Sequence, residues 1–270
     1  MTLKIRKAFL LTRKELKESL RSKEVILIIT LMPLMFAVIM PLCIPLVNLT
    51  IPTDAFTEDD FDSFPPLVPY WDELDAKGRF LIFFTMIFFE SFLLLPMILP
   101  MAIAADSIAG ERERKTIESL IASPLSTEEI VLGKLMTTMI PSVLITWFSG
   151  LIFMLIADLS LYGEIGRLVF PNMMSAVLLF GLSPFLTLIT TQTMIVVSTR
   201  ASGMREAQQL GSLVVIPLYM FILGETAILV LLKAYWTAVT SAILLLITIF
   251  LLLVNLKVFD REYMIATIRG

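Results

Sequence analysis

Histidine is absent from all 270 residues, which removes the side chain that most often serves as a general base or metal ligand near neutral pH. A Ser/His/Asp hydrolase and an HExxH metalloprotease are excluded by that alone. There is one cysteine, Cys43, inside an apolar run, so neither an intrachain disulfide nor a thiolate metal site can form. Charge is scarce too: 17% of residues carry it, against 57% apolar residues and a mean hydropathy of +0.89. Soluble domains have about 25% charged and about 45–50% apolar residues. One water-soluble core cannot hide this much apolar surface, so the chain integrates into a membrane. The formal balance of −3 offers no bulk attraction for nucleic acid.

Six apolar blocks stand out, each near the ~20 residues that cross ~30 Å of hydrocarbon. They run over about 25–46, 80–104, 135–157, 173–197, 210–232 and 237–256. Lysine and arginine set the orientation. Eight lie before residue 24, four in 106–134, two in 198–209 and three in the C-terminal tail, 17 of 21 in all. Lys77, Arg79, Arg167 and Lys233 fall on the other side. The positive-inside rule then puts both termini in the cytoplasm. An all-α integral membrane protein with six transmembrane helices, multi-pass in the cell membrane, is expected.

Before the first block, Ile5, Phe9, Leu16 and Leu20 fall within about 60° of one another at helical spacing, beside a face with Arg6, Arg13, Lys14, Lys17 and Arg21. This describes a basic amphipathic helix lying on the anionic inner leaflet; a plain positive-inside flank is the simpler alternative. A cleaved signal peptide is not expected, because the charged region is too long and no small-residue cleavage site follows. The outer loop, 47–79, is acidic and proline-rich, and its spacing matches no EF-hand, so a solvated outer cap is expected. Asn48-Leu49-Thr50 fits a glycosylation acceptor but lies too near the membrane edge to serve as one. Prolines inside five of the blocks free backbone carbonyls and bend helices. Gly224-Glu225-Thr226 interrupts the fifth block, consistent with a straight helix or with a re-entrant turn near the outer surface.

Polar groups at membrane depth need partners or a purpose. Glu90 sits near the middle of the second block, either as a functional carboxylate or as a protonated one joining two helices. Thr187, Thr190, Thr191, Gln192 and Thr193 crowd the fourth block. Hydroxyls can satisfy themselves on i−4 carbonyls, so packing explains them; with Glu90 they could also line a path for an ion or head group. No nucleophile–base pair is visible.

The remaining feature is 106–134, a mixed-charge stretch between the second and third blocks. Glu111 with Lys115 and Arg114 with Glu118 make i,i+4 pairs, while Ile117, Leu120 and Ile121 form an apolar patch on another face. Pro124 stops that short helix, and Ser126 with Glu129 predicts a capping box that starts the next one. The run Ala109-Gly110-Glu111-Arg112-Glu113-Arg114-Lys115-Thr116-Ile117-Glu118-Ser119-Leu120-Ile121-Ala122-Ser123-Pro124, then Gly133-Lys134, resembles the hallmark of ABC-2-type transporter permeases. Lys115 stands where that family often has glycine, and the outer loop is shorter than in its sodium-exporting members.

The resemblance implies a transmembrane permease subunit without its own ATPase, and no GxxxxGK(S/T) loop occurs here. It implies an ATPase partner, which would hold ATP and magnesium, a second permease chain as homodimer or heterodimer, and no cofactor in this chain. It also implies a connecting helix over 1–24, a transmembrane domain over 25–270, and a coupling helix in 106–134. The coupling role would fall to Gly110, Glu111, Arg112, Glu113, Arg114, Thr116, Glu118, Leu120 and Pro124. Export of a hydrophobic or amphipathic substrate is expected. Cation export through Glu90 and the fourth-block hydroxyls, or a non-transporting signalling or assembly subunit, are the alternatives.

Overall fold

A computed structural model describes residues 2–52, 55–61, 64, 66–114, 126–198 and 200–231, and among them only helices, turns and bends occur. Six long helices organise the chain: α1 (Thr2–Ser19), α2 (Lys23–Thr50), α3 (Ala76–Ala105), α4 (Thr127–Ile165), α5 (Met173–Ser198) and α6 (Met204–Leu231). Four of them, α2 to α5, are long and apolar enough to cross a membrane. The sixth apolar block, 237–256, lies outside the described residues.

Local chemistry sets the helix ends. The Asp75 carboxylate accepts from the Gly78 amide at 2.9 Å and starts α3. The capping box expected at Ser126 and Glu129 is present, with both reciprocal bonds made. A second one, Asn172 with Ser175, starts α5. At the far end of α4, Gly166 takes φ +68° and closes the helix in the left-handed conformation that glycine tolerates. The 39 residues of α4 make it about 58 Å long at 1.5 Å per residue. It therefore begins well before the apolar block that flagged it.

The proline-rich helices carry π turns. In α2 the turn Met35–Ile39 lies between Pro33 and Pro41, and in α5 the turn Val177–Leu182 precedes Pro184. Beyond Ala105, α3 continues through another, Asp106–Gly110, into the short piece Glu111–Glu113. Gly224-Glu225-Thr226 is helical backbone within α6, which runs unbroken to Leu231; a turn beyond that point would lie outside the described residues.

Two ends of the bundle differ. At the loop end, Phe61, Val68 and Trp71 are buried while Asp59, Asp60, Asp72, Glu73 and Asp75 point outward. The cap is thus solvated on one side and packed on the other. Tyr70 donates its hydroxyl to the Leu168 carbonyl at 2.8 Å, and Asp158 accepts from the Val169 and Phe170 amides at 2.8 and 3.0 Å. Asn48 donates to Glu164 at 2.8 Å and ties α2 to α4. Just inside this end, Phe89 and Phe92 of α3 meet Phe153 of α4, with centroids 5.4 and 6.3 Å away, and Phe170 closes the cluster. Among the described residues, no three acidic, histidine or cysteine side chains come together to hold a metal ion.

Candidate functional site: a lysine shared by three helices

At the opposite end, α1 packs along the start of α4. The face it turns inward is Leu11, Thr12, Glu15 and Ser19, all nearly buried, while Phe9, Leu10 and Leu20 remain exposed. Of the apolar stripe predicted on this helix, Phe9 and Leu20 are exposed and Leu16 is half-buried, while the inward face is mostly polar.

The centre of that contact is Lys134, 2% exposed, about two turns into α4. Its ammonium donates to Glu15 Oε1 at 2.9 Å, to Glu111 Oε2 at 3.0 Å, to the Ser107 carbonyl at 2.7 Å and to Ser107 Oγ at 3.1 Å. Ser107 in turn donates its hydroxyl to Glu15 Oε2 at 2.7 Å, and Thr12 donates to the Gly133 carbonyl at 3.1 Å. Two carboxylates from different helices thus share one cation, with a serine hydroxyl linking that cation to Glu15. Burial costs each ion several kcal/mol, which only saturated, well-aligned contacts repay. Burial pushes the Glu15 carboxyl above the usual carboxylate range; Lys134 opposes this, and neighbouring Glu111 adds to it.

The π turn after α3 makes this possible. Ser107 and Glu111 both reach Lys134, while Asp106 is left to pair with Arg114 at 3.1 Å. A Cβ on Gly110 would lie 3.1 Å from both the Arg114 guanidinium and Asp106 Oδ1, so a side chain there would crowd the pair. Two residues on, Glu113 Oε2 accepts from the Met204 amide at 3.3 Å, placing negative charge at the start of α6. Gly203 leaves room for it, since a Cβ there would sit 3.2 Å from that oxygen. Nine residues, 106–114, therefore bind to α1, α4 and α6 together.

Several predicted site residues fall differently from a simple docking face. Glu111 is buried and faces Lys134, Glu113 faces α6, and Arg114 is half exposed beside Asp106. Arg112 is on the same short helical piece. Thr116, Glu118, Leu120 and Pro124 lie outside the described residues, as do Lys115 and the apolar patch. Of the membrane-depth candidates, Glu90 is buried on α3. Thr187 donates to the Ser183 carbonyl, as self-satisfied hydroxyls do. Thr190, Thr191 and Gln192 are buried with an oxygen of each making no hydrogen bond.

Sequence reading missed Glu15, Ser107 and Thr12, and quoted Lys134 only as part of a motif. The available signal was the spacing of Leu11, Thr12, Glu15 and Ser19 on a second face of α1. A family model described as ABC-2 family transporter protein matches residues 10–234. No curated protein matches the sequence.

Proposed function

The match takes in most of the chain, so the protein belongs to the ABC-2 family of transporter membrane proteins, and from that premise we propose that it is the permease subunit of an ATP-binding cassette exporter. A separate ATPase subunit supplies hydrolysis, with ATP and magnesium bound there. Two permease chains, identical or homologous, make the transport unit. Both termini and the 106–134 segment face the cytoplasm, and block 237–256 is a sixth span. The substrate is hydrophobic or amphipathic.

One observation carries the coupling assignment. Residues 106–114 are tied at once to α1, α4 and α6 by short buried contacts. A displacement imposed on the adjoining segment therefore cannot be absorbed by a slack loop; it moves three helices. A stiff hub of this kind is what a permease needs if work is done outside the membrane and felt inside it.

The test uses the full chain in mild detergent. A nucleotide-binding subunit is expected to copurify. Glu111 and Glu113 are poor choices for a docking test, because reversing either would first disturb Lys134 or the start of α6. Glu118→Lys is the better probe and should reduce recovery of the ATPase by about tenfold or more, as lost interfacial charge pairs do. Lys134→Arg, which keeps the cation but alters its contacts, should keep the ATPase bound yet weaken its stimulation by substrate. Failure to copurify any nucleotide-binding protein, or full recovery and stimulation in both variants, would sink the proposal.

A further inference from the structure

Two sets of hydroxyls on the described helices contrast. Thr85, Thr137, Thr138, Ser160, Ser183 and Thr187 each donate to the carbonyl four residues earlier. That is the ordinary way for a hydroxyl to be satisfied at membrane depth. Ser142 and Thr146 of α4 and Thr190, Thr191 and Ser198 of α5 do not, although all are at most 2% exposed and their oxygens make no hydrogen bond. Gln192 Oε1 shares this condition.

These residues are not scattered. Trp147 Nε1 donates to the Leu179 carbonyl at 3.0 Å, and a Cβ on Gly150 would fall 2.5 Å from a Leu179 methyl, which sets the register of α4 against α5. The two helices run antiparallel. Counting back from those contacts brings Ser142 level with Thr187, and Thr138 level with Thr190 and Thr191. On α4, Ser142, Thr146 and Phe153 share one ridge, and Phe153 meets Phe89 and Phe92 of α3. Hydroxyls thus occupy the α3–α4–α5 junction from the Lys134 hub up to the phenylalanine cluster. A cavity of about 10 Å³ beside Thr190 lies between α5 and α6, outside this junction, and its exposed lining is apolar.

We propose that this junction is a dead-end inlet for water and small monovalent cations, reached from the hub end when the Lys134 contacts there part and closed toward the loop end by Phe89, Phe92, Phe153 and Phe170. Neutral hydroxyl and amide oxygens suit water and weakly hydrated cations. No acidic side chain is needed to hold them, and exchange between successive sites stays easy. The inlet lies within one protomer. It stands whether or not an ATPase is the partner.

Single cysteines test it in a Cys43→Ser background, with the full chain reconstituted in vesicles. Silver ion is the probe: it is monovalent, small, and binds thiolate, a form that a thiol in dry hydrocarbon does not adopt. Ser142→Cys and Thr191→Cys change little volume and should be blocked from later maleimide labelling at least about tenfold faster than lipid-facing Leu144→Cys. Opening the plug above the inlet, in the double variant Phe153→Leu/Leu161→Cys, should speed the reaction of its thiol with silver over that of Leu161→Cys alone. Measurements are made on the chain alone and, where an ATPase copurifies, on the pair without nucleotide, with ATP and in a trapped post-hydrolysis state. If Ser142→Cys and Thr191→Cys react no faster than Leu144→Cys in any of these, the junction is dry and the proposal falls. Reaction at both with a bulky charged methanethiosulfonate as readily as with silver would also overturn it, in favour of a wide vestibule.

Discussion

Lys134 is the residue on which most depends. Its four contacts, between 2.7 and 3.1 Å, come from α1 and the end of α3. Lys134→Met keeps length and apolar bulk but leaves Glu15 and Glu111 facing each other without their cation. Loss of one member of a buried ion pair costs about 3–5 kcal/mol, so a fall of that size is expected in reversible denaturant unfolding, with Lys134→Arg falling less. Glu15 adds a pH signature. Burial raises its pKa in the folded state, whereas the unfolded carboxyl titrates at about 4.3. The folded form therefore binds the proton more tightly. That contribution is full below about pH 4.3 and is lost as pH rises through the raised folded value. Glu15→Gln does not titrate there, so its stability relative to the wild type should improve as pH rises from about 4.3 through the raised folded value. A difference that is constant with pH, or that moves the other way, would contradict the burial argument. None of this was legible in the sequence: Glu15 and Lys134 are 119 residues apart, and only the packing of α1 on α4 makes partners of them.

Among the helices, legibility followed locality. The capping box at Ser126 and Glu129 depends on four consecutive residues, and the structure has it as predicted. The apolar blocks located α2 to α5 because membrane helices are selected by local hydropathy. Prolines signalled irregular helices, but not that the irregularity is a π turn, nor that one follows α3 where no proline stands. On α1 the side that meets the bundle is mostly polar, while Phe9 and Leu20 of the predicted apolar stripe stay exposed. Hydropathy ranks faces by their liking for hydrocarbon and is silent on which face finds a matching charge. The α4–α5 crossing gives an element-scale test. Gly150 abuts Leu179 so closely that an added methyl overlaps it, and overpacking of this kind costs about 1–3 kcal/mol. Gly150→Ala should destabilise by that amount, and Leu179→Ala should recover part of the loss in the double variant. Additive losses would mean that the two residues do not touch.

The whole molecule is a bundle pinned at both ends by different means. The loop end uses aromatic packing and amide-to-carboxylate bonds, with Tyr70 on Leu168 and Asp158 on two consecutive amides. The hub end uses ions. Between them lie the phenylalanine cluster and, on the hub side of it, the hydroxyl-lined junction. Such a layout lets one end be moved while the other holds its shape, and it fits a membrane subunit driven from one side. Membership of the transporter family is a property of the whole chain, spread over residues 10–234; the hub is a property of a few atoms. The distance in sequence between Glu15 and its cation also sets an order of assembly. At about 5–20 residues per second, a ribosome needs roughly 6–24 s to travel from one to the other. During that interval α1 exists with its carboxylate unanswered. α1 is thus made well before it can settle, and a variant that weakens its grip on Lys134 should lengthen the time during which the nascent chain is open to quality-control proteases.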